Sequence, residues 1–285
     1  MRAVILAGGL GTRLRPYTTI IPKPLVPVGD RPILQHIIEN LVIAGVHDID
    51  LCVNYLGALI QTYFAHATAL PQEARLRWFW EKEPLGTAGA LTVVPDLDEP
   101  FIAMNGDVLT SLDYRQLVDF HQQSGAALTI AMQEKTVNID LGVIEREGSR
   151  VTGYLEKPTL RYDISMGIYV YEPVALRYLP DGPCQFPDLV LRLLAAGETV
   201  AAFRSRDSWY DIGTPDEYER AVNDIALLDR VGAELDAAVS SAGPSARRTH
   251  RRLSTMLDTK KEATSMPEMA SATAPASAES ATSPR

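Results

Sequence analysis

The chain has 285 residues, 46% hydrophobic and 22% charged, the balance of a globular protein large enough to bury a real core in one or two domains. A formal net charge of -9 leaves no global positive field for a polyanion, which excludes non-specific nucleic-acid binding and obliges any phosphate ligand to meet local cations. Two cysteines, Cys52 and Cys184, cannot build a disulfide framework, and no run approaches the ~20 apolar residues that span a bilayer, so we expect a reduced, cytoplasmic protein without signal peptide or membrane contact.

Residues 2–7 (RAVILA) are a nearly continuous apolar run, the pattern of a strand buried on both faces of a parallel sheet. A glycine-rich loop follows. Ile33, Leu34, Ile37, Ile38, Leu41 and Val42 then recur at helical spacing over 31–45, with Gly45 as the stop. DIDLCV at 48–53 predicts a strand, GALIQTYFAHA at 57–67 a helix and RLRWFW at 75–80 a third strand. Residues 86–94 read as a short helix, FIAMNGD at 101–107 as a strand ending in a loop, 112–123 as a helix and ALTIAM at 127–132 as a strand. Such alternation implies right-handed crossovers and an α/β fold, with a mostly parallel central sheet and helices on both faces. From 142 to 171 the short strands GVIE, VTGYLE and GIYVYE suggest a small antiparallel subregion able to roof a cleft. Helices near 186–196 and 215–229 complete a domain over 1–230, and no internal repeat or hexapeptide β-helix pattern is present. The remaining 231–285 is an Ala/Ser/Thr/Pro-rich extension that lacks the large apolar residues needed to offset ordering entropy, so we expect it to be largely disordered from 240 on. Its basic cluster, Arg247, Arg248, His250, Arg251 and Arg252, reads as a solvated tail segment without assigned function.

The loop AGGLGTRLRP at 7–16 puts Gly8, Gly9 and Gly11 directly after the first strand, where ligands of parallel sheets bind. Glycines let backbone N–H groups approach phosphates closely, and Arg13 can add a forked, charge-assisted contact. Two better-known loops do not fit. A dinucleotide fingerprint starting at Gly9 needs glycine where Leu14 stands, and the Gly-Lys-Ser/Thr of a P-loop is absent. Lys23, between Pro22 and Pro24, is expected on stiff, extended backbone that carries its ammonium back toward the same loop.

With these residues in view, AVILAGGLGTRLRPYTTIIPKPLVPVGDRPIL at 3–34 resembles the signature of sugar-1-phosphate nucleotidylyltransferases, also called NDP-sugar pyrophosphorylases. The resemblance continues in order through EPLGTAGAL (83–91), NGDV (105–108), LGVIE (141–145), YLEKP (154–158), GIYVY (167–171) and WYDIGTP (209–215). It implies a Rossmann-like, GT-A-like nucleotidyltransferase fold that joins an NTP to a sugar 1-phosphate and releases pyrophosphate. By the same resemblance the nucleotide lies along Leu6, Ala7, Gly8, Gly9, Gly11, Thr12 and Arg13, and against Glu81, Pro84, Gly86 and Thr87. Arg13, Lys23 and Asp107 carry the catalytic roles. The sugar phosphate falls to Asn105, Gly142, Glu156, Lys157, Ser165 and Gly167. The family often has Tyr before the first of these two glycines and Asn-Ala before the second, whereas this chain has Leu141 and Ser165-Met166.

The chemistry requires two mutually repelling polyanions to be aligned while developing charge is absorbed. Asp107 in Asn105-Gly106-Asp107 ends a buried strand at the rim of the first loop, and Asp211 is the second carboxylate by resemblance. Two such oxygen donors plus phosphate oxygens suit Mg2+. Singly, an Asp in these contexts reads as a turn former.

Guanine presents two adjacent donors, which suit a carboxylate, whereas uracil and thymine suit an amide. In thymidylyltransferases of the family a glutamine commonly stands five residues before the loop glycine; here Glu81 precedes Gly86 by five, and EKEPLGTAGAL looks most like the mannose- and heptose-1-phosphate guanylyltransferase branch. GTP is therefore favoured, with mannose 1-phosphate or a D-glycero-D-manno-heptose 1-phosphate as acceptor. UTP or dTTP with glucose 1-phosphate is the alternative within the reaction class, and a non-catalytic nucleotide-sugar sensor the alternative outside it. A Rossmann dehydrogenase is disfavoured by Leu14. A homo-oligomer stays open.

Overall fold

The computed structural model describes residues 1–67 and 70–224. The domain boundary at 230, the extension with its basic cluster, and the last turn expected of a helix over 215–229 all lie outside the described residues. In chain order the strands are β1 (Arg2–Leu6), β2 (Pro27–Val28), β3 (Arg31–Pro32), β4 (Asp48–Val53), β5 (Arg75–Trp80), β6 (Phe101–Asn105), β7 (Val108–Thr110), β8 (Leu128–Asn138), β9 (Val143–Glu147), β10 (Arg150–Leu155), β11 (Thr159–Tyr171), β12 (Val200–Arg204) and β13 (Trp209–Asp211). The helices are α1 (Ile33–Ile43), α2 (Gly57–His66), α3 (Gly86–Gly89), α4 (Tyr114–Ser124) and α5 (Phe186–Ala195), and residues 215–224 are helical as well.

The central sheet runs β12-β8-β11-β6-β1-β4-β5. β1 pairs in parallel with β4 and β6, β4 with β5 and β8 with β12, while β11 is antiparallel to both of its neighbours. The first strand explains itself by its two faces. Ala3 and Ile5 enter a core with Ile37 and Ile38 of α1, Ile60 of α2 and Leu117 of α4. Val4 enters the opposite core with Leu91, just past α3, and with Leu189 and Leu193 of α5. Helices therefore cover both faces, and a strand buried twice shows no polar alternation. Each Leu or Ile so buried contributes about 1.5–3 kcal/mol.

Helix ends follow local chemistry. After α1, Gly45 takes φ +88° and donates to Val42 O at 2.8 Å, while Val46 donates to Leu41 O at 2.9 Å, which closes the helix in a Schellman motif as the glycine predicted. Asp113 begins α4 by accepting from the Arg115 N–H at 3.0 Å.

The antiparallel part differs from the sequence expectation. Only β9 and β10 form a separate hairpin; β11 enters the main sheet between β6 and β8, and its first half pairs with β8 well beyond it. The register slips between Ser165 and Tyr169, where Gly167 takes φ +73°, so a bulge separates the outer arm from the buried end of the strand. Five short segments were not anticipated: β12 at one sheet edge, β2 with β3, and β7 with β13, each of these two couples pairing within itself. No helix among the described residues is long and apolar enough to cross a membrane.

Candidate active site

Parallel pairing puts the ends of β1, β5 and β6 on one edge of the sheet, and the loops carrying Gly8–Arg13, Glu81–Gly86 and Gly106–Asp107 leave from that edge. Leu6 ends β1 and Ala7 is buried behind it, its N–H bonded to Cys52 O at 2.8 Å. Gly9 faces open space, with nothing within 4 Å of where a Cβ would stand. Gly11 takes φ +60° and leads into a one-turn 3-10 helix, Thr12–Leu14, that presents Thr12 and Arg13 to solvent. A Cβ at Gly11 would lie 3.1 Å from Thr18 Cγ2 and 3.2 Å from Lys23 Cβ, so the glycine brings this loop against the lysine segment.

Lys23 is buried along its stem, 8% exposed, and its ammonium forms an ion pair with Asp107 Oδ2. The expected extended backbone holds at Pro22 but ends there, because Lys23 itself opens a 3-10 turn that Leu25 closes by donating to Pro22 O at 2.8 Å. Asp107 follows a tight junction. Gly106 donates to Leu6 O at 2.9 Å, and a Cβ there would press to 3.0 Å on that same oxygen, so glycine lets the ends of β6 and β1 meet without displacing the backbone.

The β7–β13 ladder pairs Val108 with Asp211, and Ile212 donates to Asp107 O at 3.2 Å. The two aspartates are thus neighbours across a short ladder. Burial pushes the Asp211 carboxyl above its usual range, and the Asp107 and Glu217 charges push the same way, against Lys23 and Arg13. Asp107 Oδ1 is buried with no hydrogen-bond partner. A second acceptor that finds no donor beside another carboxylate is an arrangement a divalent cation satisfies. Arg13 reaches the same place: a Cβ on Gly213 would lie 3.1 Å from its guanidinium, so Gly213 leaves the room in which Arg13 sits. Glu217, which the sequence pattern alone did not single out, accepts from the Gly213 N–H at 3.2 Å and from the Thr214 hydroxyl at 3.3 Å. Its signal was present as Thr-Pro-Asp-Glu, a capping-box spacing at the head of the 215–224 helix.

On the other side, Glu81 is half-buried rather than a freely solvated charge. Its Oε2 accepts from the Leu85 N–H at 3.1 Å, its Oε1 would stand 2.7 Å from a Cβ at Gly8, and burial pushes its carboxyl up. Gly8 and Glu81 therefore face one another across the rim. Pro84 and Thr87 are exposed and Gly86 is partly buried; Gly86 and Thr87 both contact residues 184–186.

The sugar-side residues divide. Asn105, Ser165 and Gly167 come together, since a Cβ at Gly167 would lie 2.7 Å from Asn105 Nδ2 and the Gly167 N–H donates to Ser165 Oγ at 3.2 Å. Trp209 Nε1 donates to Met166 O at 2.9 Å and ties this bulge to β13. Gly142 instead faces the hairpin, where the Tyr154 hydroxyl fills the place of a side chain. Glu156 and Lys157 are exposed in the turn after β10, Lys157 at φ +44°. Among the described residues no hydrogen bond or ion pair joins either to the Lys23–Asp107 pair.

A family model, described as nucleotidyl transferase, matches residues 2–227. The chain belongs to the nucleotidyl transferase family. Among curated relatives, it is 36% identical over 230 residues to mannose-1-phosphate guanylyltransferase catalytic subunit beta of Danio rerio, covering 76% of this chain. It is 33% identical over 231 residues to mannose-1-phosphate guanyltransferase of Aspergillus fumigatus. The chain spans 62% of the length of each. A solved family neighbour is HddC from Yersinia pseudotuberculosis complexed with GMP-PN, with TM-score 0.60 and 27% identity over 79% of this chain and 99% of that one. A UDP-glucose pyrophosphorylase complexed with UDP-glucose shares the fold at TM-score 0.60 and 22% identity, over 79% of this chain and 98% of that one.

Proposed function

We propose that this chain transfers the nucleoside monophosphate of GTP to a sugar 1-phosphate, mannose 1-phosphate or a D-glycero-D-manno-heptose 1-phosphate, and releases pyrophosphate. The observation that carries this reading is the meeting of Lys23, Asp107, Asp211 and Arg13 at one rim, with a buried carboxylate oxygen left unpartnered. The guanylyltransferase relatives and the GMP-PN bound to HddC support the nucleotide and the acceptor.

Arg13 holds phosphate oxygens by a forked contact, and the Gly8–Gly9 backbone admits them where a side chain would not. Lys23, anchored by its buried stem, exchanges its aspartate for phosphate oxygens as the polyanion enters. Asp107 and Asp211 are the residues that would hold Mg2+. Two carboxylates would leave the other positions around such an ion to phosphate oxygens and water. When bound, the ion would supply neutralisation of the charge that builds on the α-phosphate of the transferred nucleotidyl group and on the departing pyrophosphate.

Glu81 reads the base. One of its oxygens keeps the Leu85 bond and the other faces the first loop, so the carboxylate offers acceptors to both guanine donors. Asn105, two residues before Asp107, lies against Gly167 and through it Ser165; these three hold the sugar phosphate together with Gly142, Glu156 and the exposed ammonium of Lys157. A cytoplasmic setting is part of the proposal, supported by two free, buried cysteines. The test is pyrophosphate release with GTP, UTP and dTTP against mannose 1-phosphate and heptose 1-phosphate, with products identified by mass spectrometry. Preference for a pyrimidine nucleotide would contradict the assignment of the base.

A further inference from the structure

The loop after Glu81 is held from behind by a segment about one hundred residues later in the chain. Cys184 N–H donates to Leu85 O at 2.8 Å, and Cys184 O accepts from Ala88 and Gly89 at 3.0 and 2.9 Å. The Thr87 hydroxyl accepts from the Phe186 N–H at 2.8 Å. Gln185 Oε1 accepts from the Thr87 N–H at 3.4 Å and from its hydroxyl at 3.3 Å. The two glycines of the loop answer to this strap: a Cβ at Gly86 would meet Cys184 O at 2.6 Å, and one at Gly89 would meet Cys184 N at 3.0 Å. The Leu85 peptide joins the strap to the base-reading carboxylate, since its C=O takes the Cys184 bond while its N–H donates to Glu81 Oε2 at 3.1 Å.

We propose that Gln185 is a positioning residue for base recognition: with the backbone of Cys184 it sets the Leu85–Gly89 loop and, through Leu85, the orientation of Glu81. This rests on the functional reading above, in which Glu81 meets the base. Only the acceptor oxygen of Gln185 is used on Thr87, so Gln185→Glu keeps the interaction and Gln185→Met removes it at similar volume. The same side chain also caps α5, accepting from the Asp188 N–H while the Gln185 N–H donates to Asp188 Oδ2 at 3.3 Å; Gln185→Glu keeps that cap, and Thr87→Val does not touch it.

The experiment measures kcat/KM for GTP and for UTP, together with hydrogen exchange in the peptide covering 85–91, for the full chain and both variants. Gln185→Met should lower the GTP-over-UTP ratio about fivefold, the size expected for a lost neutral hydrogen-bond pair, chiefly through KM for GTP, and should speed exchange in that peptide. Gln185→Glu should restore both. An unchanged ratio with unchanged exchange in Gln185→Met overturns the proposal, as does Gln185→Glu behaving like Gln185→Met. Thr87→Val leaves the α5 cap in place, removes the hydroxyl bond to Gln185 and the acceptor of the Phe186 N–H, and keeps the Thr87 N–H bond; it should lower the same ratio and speed the same exchange, and no change in either would count against the proposal. Absence of turnover by the unsubstituted protein with every NTP would overturn the functional reading instead, and the exchange comparison would still decide whether Gln185 holds the loop.

Discussion

Replacing Glu81 by Gln changes one acceptor atom into a donor and leaves shape and position alone. The carbonyl of the introduced amide can still accept from the Leu85 N–H, now bonded to Glu81 at 3.1 Å, so the loop keeps its support and the change is confined to the group facing Gly8. That face then offers an N–H where guanine also brings an N–H. Mismatching one such pair at a half-buried site costs about 1–3 kcal/mol, so kcat/KM for GTP should fall about 5- to 150-fold. Uracil and thymine, which pair well with an amide, should lose nothing or gain. The assay is pyrophosphate release with the three nucleotides at one sugar 1-phosphate. A pH profile adds a second check. Burial holds the Glu81 carboxyl above its ordinary pKa, so protonation sets in at higher pH than for a solvated glutamate, and KM for GTP should rise as pH falls through that raised pKa. In Glu81→Gln that limb should vanish. Equal loss for all three nucleotides, or no loss for any, would refute the role of Glu81.

Asp211→Asn removes a carboxylate whose charged form is opposed by burial and by Asp107 and Glu217. A raised carboxylate pKa means the native state is favoured by protonation, so removing the charge should raise Tm at neutral pH slightly, as screening limits a partly exposed site, while turnover collapses. Asp50 is fully buried and accepts from Arg2 at 2.9 Å and from Arg77 at 2.7 and 2.9 Å, and both arginines are partly exposed, so Asp50→Ala should cost about 1.5–3 kcal/mol in urea unfolding. Gly8→Ala should displace Glu81, whose Oε1 would be 2.7 Å from the new methyl group; because a side-chain end can swing away, Tm should hold while GTP selectivity falls.

Where the chain signals itself locally, sequence and structure agree. β4 and β5 occupy the predicted 48–53 and 75–80, and α1 ends at its glycine, because continuous apolar runs and helical spacing are local patterns. β2, β3, β7, β12 and β13 escaped because strands of two to five residues carry too little periodicity, and the placement of β11 beside β6 is a long-range pairing that no local pattern encodes. Within the site, the glycine-rich loop with Arg13 and the stiffened Lys23 were legible from their own residues, whereas the two aspartates, turn formers when taken singly, became metal candidates only beside the family resemblance. The glycines were legible as close approaches but not as to what approaches them. Gly86 answers to Cys184 and Gly142 to Tyr154, each a protein group distant in sequence or on another element. Sequence spacing cannot separate such a neighbour from a ligand.

The most direct trial of the account is the Mg2+ dependence of pyrophosphate release by the unsubstituted protein and by Asp107→Ala, with GTP and mannose 1-phosphate. The account predicts turnover that stops on chelation and returns with Mg2+, and a loss of at least about 100-fold in Asp107→Ala with nucleotide binding retained. Turnover that is indifferent to chelation, or an Asp107→Ala variant that still works within a few-fold of the original, would contradict it.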